Sequence, residues 1–334
     1  MKRLIHFGPS LPALGQTPYA PGTPDWVQAN PARIERALAR ALARPSGGWY
    51  VVGASREIGE TPTKHRILGR NLVAWRGVAN QPMVAPAACP HMGANLADGR
   101  VCDGKIVCPW HGLALGEARH GTWAPFPAFD DGVLTWAQLS ADEVLTPKPF
   151  ITERPTRFLD AVIRVDAVCE PSDVIRNRLD PWHGAHYHPH SFAQLRVISE
   201  SDDDIVVRVS YRVAGPFCSE VDARFHCPDP RTIAMTILEG EGKGSVVETH
   251  ATPIDETHTA VIEATLATSD RPGFGLAVSA SNLLRPLIQK RARRLWIEDA
   301  AYAERMYEIR QEKVAKKTRI SLGGAKRAGS SHKG

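Results

Sequence analysis

The chain has 334 residues, 43% of them hydrophobic and 23% charged, with a formal charge of +5. That length suits two domains with real cores, and no apolar run approaches the ~18 residues of a membrane span. Six cysteines in so long a chain argue against a disulfide framework, and Gly8, Pro9 and Pro12 break any signal-peptide core.

A cytoplasmic location is therefore expected, with room for peripheral membrane contact. Residues 313–334 hold seven Lys or Arg and no acid, so the remainder of the chain sums to −2. The basic balance belongs to the tail. Residues 316–334 read as a solvated, disordered end rich in Lys, Gly and Ser, and nucleic acid is not an expected partner.

Residues 1–46 read as a Pro-rich arm followed by one helix. Asn30 and Pro31 suit an N-cap and first turn. Ile34, Leu38 and Leu42 recur every four residues opposite Arg33, Arg36, Arg40 and Arg44. The basic face suits a membrane or redox partner, or simply the surface of the domain that follows. Pro45 to Gly48 ends the helix.

Residues 47–148 read as a small all-β domain with strands near 49–53, 71–76, 81–86, 105–107 and 133–137. Residues 147–155 look like a linker into a second domain, spanning 149–315. It begins with a strand at 159–169 and a helix at 171–180, with Ser172 as its cap. Strands follow at 205–213, 220–225, 232–238, 245–252 and 259–268, alternating apolar and polar as in a sheet with one wet face. A helix from about Ala277 to about Lys313 closes an α+β arrangement.

Two segments carry chemistry. Cys89-Pro90-His91-Met92-Gly93 and Cys108-Pro109-Trp110-His111-Gly112 each offer one thiolate and one imidazole. A Rieske [2Fe–2S] cluster takes two Cys on one iron and two His on the other, and Gly93 and Gly112 let backbone approach the sulfides. A Cys2His2 zinc site is the competing reading, but Cys-x-His is tight for zinc. Cys102 has no partner in this pattern, and Cys169, Cys218 and Cys227 read as core.

Here the chain resembles the Rieske family over roughly residues 49–145. The respiratory branch has further cysteines beside these loops, where this chain has Ala94 and Trp110. The resemblance is to the oxygenase and ferredoxin branch, near the low end of the family's range of about −150 to +300 mV.

A ferredoxin would end near residue 150. Beyond it, Asp180-x2-His183-x4-His188, with Asn177 three residues earlier, resembles the iron motif of Rieske oxygenases. Two imidazoles and a carboxylate on one face suit a non-haem Fe(II) with open positions. The resemblance implies His183 and His188 as ligands and Asp180 as the acceptor of a hydrogen bond from the His183 ring. Five residues on a helix turn through roughly 140°, so this pair shares a face only if the helix ends between them. His186 and His190, four apart, form the rival pair.

The third ligand is expected in the last helix. Ile288, Ala292, Leu295, Tyr302, Met306 and Ile309 mark a buried face, and Asp299 falls within it. A buried carboxylate is costly unless paired or metal-bound. Glu298 reads instead as a surface partner of Arg294 and Arg305. The family places its third ligand in a comparable helix.

The resemblance implies a START-like helix-grip catalytic domain and the terminal component of a Rieske oxygenase. Such a protein uses dioxygen and electrons from a separate NAD(P)H-dependent reductase, ferredoxin or both. The expected substrate is a hydrophobic ring or isoprenoid-like molecule, and the simplest outcome is monohydroxylation. Members are typically homotrimers, which would place His111 of one subunit beside Asp180 of the next. The alternatives are an electron carrier with a degenerate second domain, or a redox-sensing lipid-binding protein.

Overall fold

The computed structural model describes residues 5–7, 28–140, 143–214 and 217–328. It opens with strand β1 (Ile5–Phe7) and helix α1 (Pro31–Leu42). The side chain of Asn30 caps α1, accepting from the N–H groups of Ala32 and Arg33. Ile34, Leu38 and Ala41 are buried in the core of the second domain, not the first. The basic face is taken by the chain's own acids: Arg33, Arg40 and Arg44 pair with Glu200, Asp202 and Asp203.

The first domain contains β2 (Trp49–Ala54), β3 (Thr63–Ile67), β4 (Arg70–Arg76), β5 (Pro82–Pro86), β6 (Arg100–Cys102), β7 (Lys105–Val107), β8 (Ala114–Leu115), β9 (Ala128–Asp130) and β10 (Leu134–Gln138). They form three small sheets, ordered β2-β10-β9, β3-β4-β5 and β6-β7-β8. Four of these strands escape the sequence pattern. β3 carries Lys64, His65 and Arg66, and β6, β8 and β9 are only two or three residues long.

The second domain runs β11 (Leu159–Ala167), α2 (Pro171–Arg178), α3 (His183–Tyr187), β12 (Phe192–Glu200), β13 (Asp204–Ala214), β14 (Phe217–Asp229), β15 (Thr232–Gly240), β16 (Val246–Pro253), β17 (Thr259–Ala267), α4 (Phe274–Ser279) and α5 (Ser281–Ala328). Its strands form one antiparallel sheet in the order β11-β17-β16-β15-β14-β13-β12, to which β1 adds in parallel along β14. α5 lies across this sheet and buries Ala292, Trp296, Ala300 and Ala303 against it, as in a helix grip.

Four expectations are corrected here. The cap of α2 is Glu170, in a capping box with Asp173, and not Ser172. The closing helix is broken at Ala280 and then runs on to Ala328, so residues 316–328, expected to be a disordered tail, are helical. Helix-forming Ala, Lys and Arg along that stretch favour the extension. β12 was not foreseen from the sequence.

Finally, the sheet does not have one wet face throughout. Val261 faces α5, while Ala260, Ile262, Ala264 and Leu266 face Trp49, Val51 and Trp136 of the first domain. β17 is apolar on both sides because both sides are covered.

Candidate metal centres

The first centre lies at the tips of two loops built alike. One joins β5 to β6 and the other joins β7 to β8. In each, the glycine N–H closes the loop on the cysteine carbonyl: Gly93 to Cys89 at 2.8 Å, and Gly112 to Cys108 at 3.1 Å. Both glycines have positive φ, +78° and +73°, a backbone state that other residues adopt at a cost.

Both cysteine sulfurs are buried and share a hydrogen bond. The backbone N–H groups of His91 and Met92 point to the Cys89 sulfur, and those of Trp110 and His111 to the Cys108 sulfur. The His91 and His111 rings are exposed, with centroids 4.8 Å apart. Sulfur ligands inside, ringed by N–H donors, and imidazoles outside are what a [2Fe–2S] cluster with one exposed iron requires.

The second centre joins three elements. α3 begins at His183 and ends at His188, its C-cap, with φ −119° and ψ 55°. The helix therefore breaks where the two imidazoles need it to, and their rings come within 5.5 Å of each other. Gly184 allows α3 to sit against the sheet, since a Cβ there would lie 3.0 Å from Leu195 Cδ1.

α5 supplies Asp299, whose Oδ1 is 2.9 Å from Nε2 of both His183 and His188. The ligand atoms of all three residues lie within 4.8 Å of one another, a grouping that could hold one metal ion. Asn177, buried at the end of α2, donates to the same Oδ1 at 3.1 Å. His186 contacts Trp182, and His190 stands 3.7 Å from Glu298; neither belongs to the trio.

Electrostatics holds the trio together. Burial alone would raise the Asp299 pKa, but the two imidazoles keep it well below the usual carboxylate range. Burial disfavours a charged His188, yet Asp299 and Glu298 outweigh it and raise its pKa.

Two side-chain roles differ from expectation. Glu298 keeps its pairing with Arg294 at 3.6 Å, but its other oxygen meets His188 Nδ1 at 2.6 Å. It thus orients a candidate ligand rather than serving only the surface, while Arg305 pairs with Glu308. The Asp180 carboxylate does not meet the His183 ring. His183 Nδ1 contacts the Asp180 backbone carbonyl, and the carboxylate accepts from the Tyr302 hydroxyl at 3.3 Å. The reason is spacing: three residues before His183, the carbonyl lies directly under the ring. Tyr302 also stacks on His183 at 5.2 Å.

A cavity of about 320 Å³ opens beside this centre, between the sheet and α5. Phe192, Leu195, Val209, Phe225, Met235 and Val247 make most of its wall. It also contains Arg178 and Glu263, which the sequence reading missed. The available signal was a glutamate at an inward position of the apolar run Val261-Ile262-Glu263-Ala264.

The sequence matches two family models: a Rieske [2Fe-2S] domain over residues 48–137 and a domain of unknown function, DUF5914, over residues 140–314. An aminopyrrolnitrin oxygenase of Pseudomonas fluorescens is 46% identical over 71 residues, 21% of this chain and 20% of that protein. The oxygenase component of a chloroacetanilide N-alkylformylase of Rhizorhabdus wittichii is 28% identical over 172 residues, 45% of this chain and 48% of that protein. The chain thus spans from a fifth to about half of the length of these relatives. A crystal structure of dicamba monooxygenase bound to dicamba superposes with a TM-score of 0.61 at 18% identity, covering 80% of this chain and 89% of that one. A Rieske domain implies a [2Fe–2S] cluster, and the fold is one that also holds a non-haem iron. Over half of its length the chain belongs to the DUF5914 family, and ahead of that domain it carries a Rieske [2Fe-2S] domain.

Proposed function

We propose that the chain is a terminal oxygenase component. Cys89, His91, Cys108 and His111 hold the [2Fe–2S] cluster, and His183, His188 and Asp299 hold Fe(II). With dioxygen and electrons from a separate reductase or ferredoxin, it oxidises a hydrophobic ring or isoprenoid-like substrate, most simply by monohydroxylation. The observation that carries this reading is one carboxylate oxygen 2.9 Å from two imidazoles beside an apolar cavity, in the same chain as the cluster loops.

When bound, the cluster supplies single electrons and the Fe(II) activates dioxygen. The protein's own part is positional. Glu298 fixes the His188 ring from behind, the Asp180 carbonyl and Tyr302 fix His183, and Asn177 orients Asp299. The apolar wall excludes water from the reacting centre. Met92 and Trp110, exposed beside His91 and His111, suit a protein partner at the cluster.

Asp180 Oδ1 is buried and has no partner among the described residues. By family resemblance the assembly is a homotrimer in which His111 of a second copy lies beside Asp180. No helix among the described residues is long and apolar enough to cross a membrane.

Anaerobic purification, iron counting and electron paramagnetic resonance of the reduced protein test the reading. About three irons per chain with a Rieske signal support it, two for the cluster and one for the triad. About two irons, with no gain on adding Fe(II), leave an electron carrier.

A further inference from the structure

Besides Thr265 and Arg291, the polar groups of the cavity wall gather at two places. One is the metal centre. The other is a cluster assembled from four elements: Arg178 at the end of α2, Tyr211 on β13, Glu263 on β17 and Trp296 on α5. Glu263 is buried, and its Oε2 accepts from Trp296 Nε1 at 2.5 Å. The Arg178 guanidinium stands 3.9 Å from the same oxygen, too far for a hydrogen bond, and lies over the Phe225 and Trp296 rings. Its Nε is buried without a partner among the described residues. The Thr249 hydroxyl, on the residue directly opposite Glu263 in the sheet, is a further polar neighbour of that carboxyl. Among the described residues the Tyr211 hydroxyl has only the Met235 sulfur, at 3.5 Å, a weak acceptor.

Buried polar groups left this incompletely paired are expensive. They belong to neither the iron trio nor the cluster, yet Arg178, Tyr211 and Glu263 all line the cavity. Their chemistry defines what would complete them. Arg178 and Tyr211 are donors without strong acceptors. The guanidinium is already balanced by the Glu263 carboxyl, and Asp299 adds a second acid to the wall. The wall has two arginines, Arg178 and the exposed Arg291, and two acids, Glu263 and Asp299, so its formal charges balance without a charged ligand. The Glu263 carboxylate, besides balancing Arg178, can accept from a bound hydroxyl.

We infer that Arg178, Tyr211 and Glu263 form a recognition point for one uncharged oxygen, a ketone or hydroxyl, on an otherwise apolar ring substrate. The inference rests on the oxygenase reading for the use of the cavity, but binding requires no turnover. A site built to hydrogen-bond an oxygen discriminates strongly against the analogue that lacks it.

Calorimetry with tetralin, 2-tetralone and tetralin-2-carboxylate tests this on the iron-loaded protein. The ketone should bind roughly tenfold more tightly than tetralin, the effect of about one to two net hydrogen bonds, and more tightly than the carboxylate. Glu263→Gln, which leaves both donors in place, should retain the ketone preference. The double variant Arg178→Met/Glu263→Leu removes the pair without stranding a charge and should bind ketone and tetralin alike.

Equal binding of ketone and tetralin by the unaltered protein, tightest binding of the carboxylate, no binding of any probe, or a surviving preference in the double variant would each overturn the inference. If the double variant does not fold, the three-probe series on the unaltered protein and on Glu263→Gln decides. A lost preference in protein with about three irons strikes this inference alone. An intact preference in protein with only two strikes the oxygenase reading alone.

Discussion

Glu298 and Asp299 are adjacent on α5 and hold the His188 ring from its two nitrogens, Glu298 at Nδ1 and Asp299 at Nε2. Orienting partners of this sort commonly contribute about 10–100-fold in metal affinity. Glu298→Ala should therefore lower Fe(II) affinity by that order while leaving the Rieske signal unchanged; an unchanged iron count at limiting Fe(II) would remove the role. Asp180→Asn should keep both metals and slow substrate-coupled oxygen uptake sharply, because its carboxylate lies outside the trio but accepts from Tyr302, which stacks on His183. Normal coupled activity would refute that. The sequence offered His183 and His188 through a family resemblance at Asp180–His188, with His186 and His190 as rivals, and Asp299 as a carboxylate set within an apolar stripe. The role of Glu298 was not legible. Helical periodicity puts it on a wet face, and the contact depends on where His188 emerges from a different element 110 residues away.

Elements set how well that spacing works. α3 is only five residues long, ends on a ligand, and sits close to the sheet because residue 184 has no side chain. Gly184→Val should push α3 off Leu195 and Phe192, with an overpacking cost of about 1–3 kcal/mol. The mononuclear iron should be lost before the cluster, as iron analysis alongside the Rieske signal would reveal. Retention of about three irons per chain would show that α3 has room to move. The long strands and α5 were readable from period-two and helical patterns. β12 was not, since Ser191 to Glu200 has a weak alternation, with bulges where it pairs with β13. Nor was the covered second face of β17, because its apolar residues on both faces make sense only once the first domain is in place.

At the scale of the whole molecule, the two domains are joined by more than the shared apolar layer. Arg154, in the connecting segment, pairs with Asp131 of the first domain at 2.9 Å and with Glu248 of the second at 2.6 Å. Asp131 also accepts from Trp136 at 2.8 Å, and Trp136 meets His250 edge-on at 5.0 Å. Burial would raise the Glu248 pKa, but Arg154 and His250 bring it down to about 2 from an ordinary 4.5. A carboxyl depressed in the folded state stabilises it fully above its unfolded value and progressively less as pH falls through the folded one. This contribution, on the order of 3 kcal/mol, should thus be present at neutral pH and fade from about pH 4.5 towards 2. Arg154→Met leaves Glu248 buried with only His250 and should cost about 3–5 kcal/mol at pH 7. Because the variant has little of the acid-labile term left to lose, its stability gap from the unaltered protein should narrow between pH 5 and pH 3, roughly the upper part of the window set by that shift. Denaturant titrations of both proteins across that range would measure the gap. A gap that stays constant down to pH 3 would mean that Arg154 does not hold the domains together through Glu248.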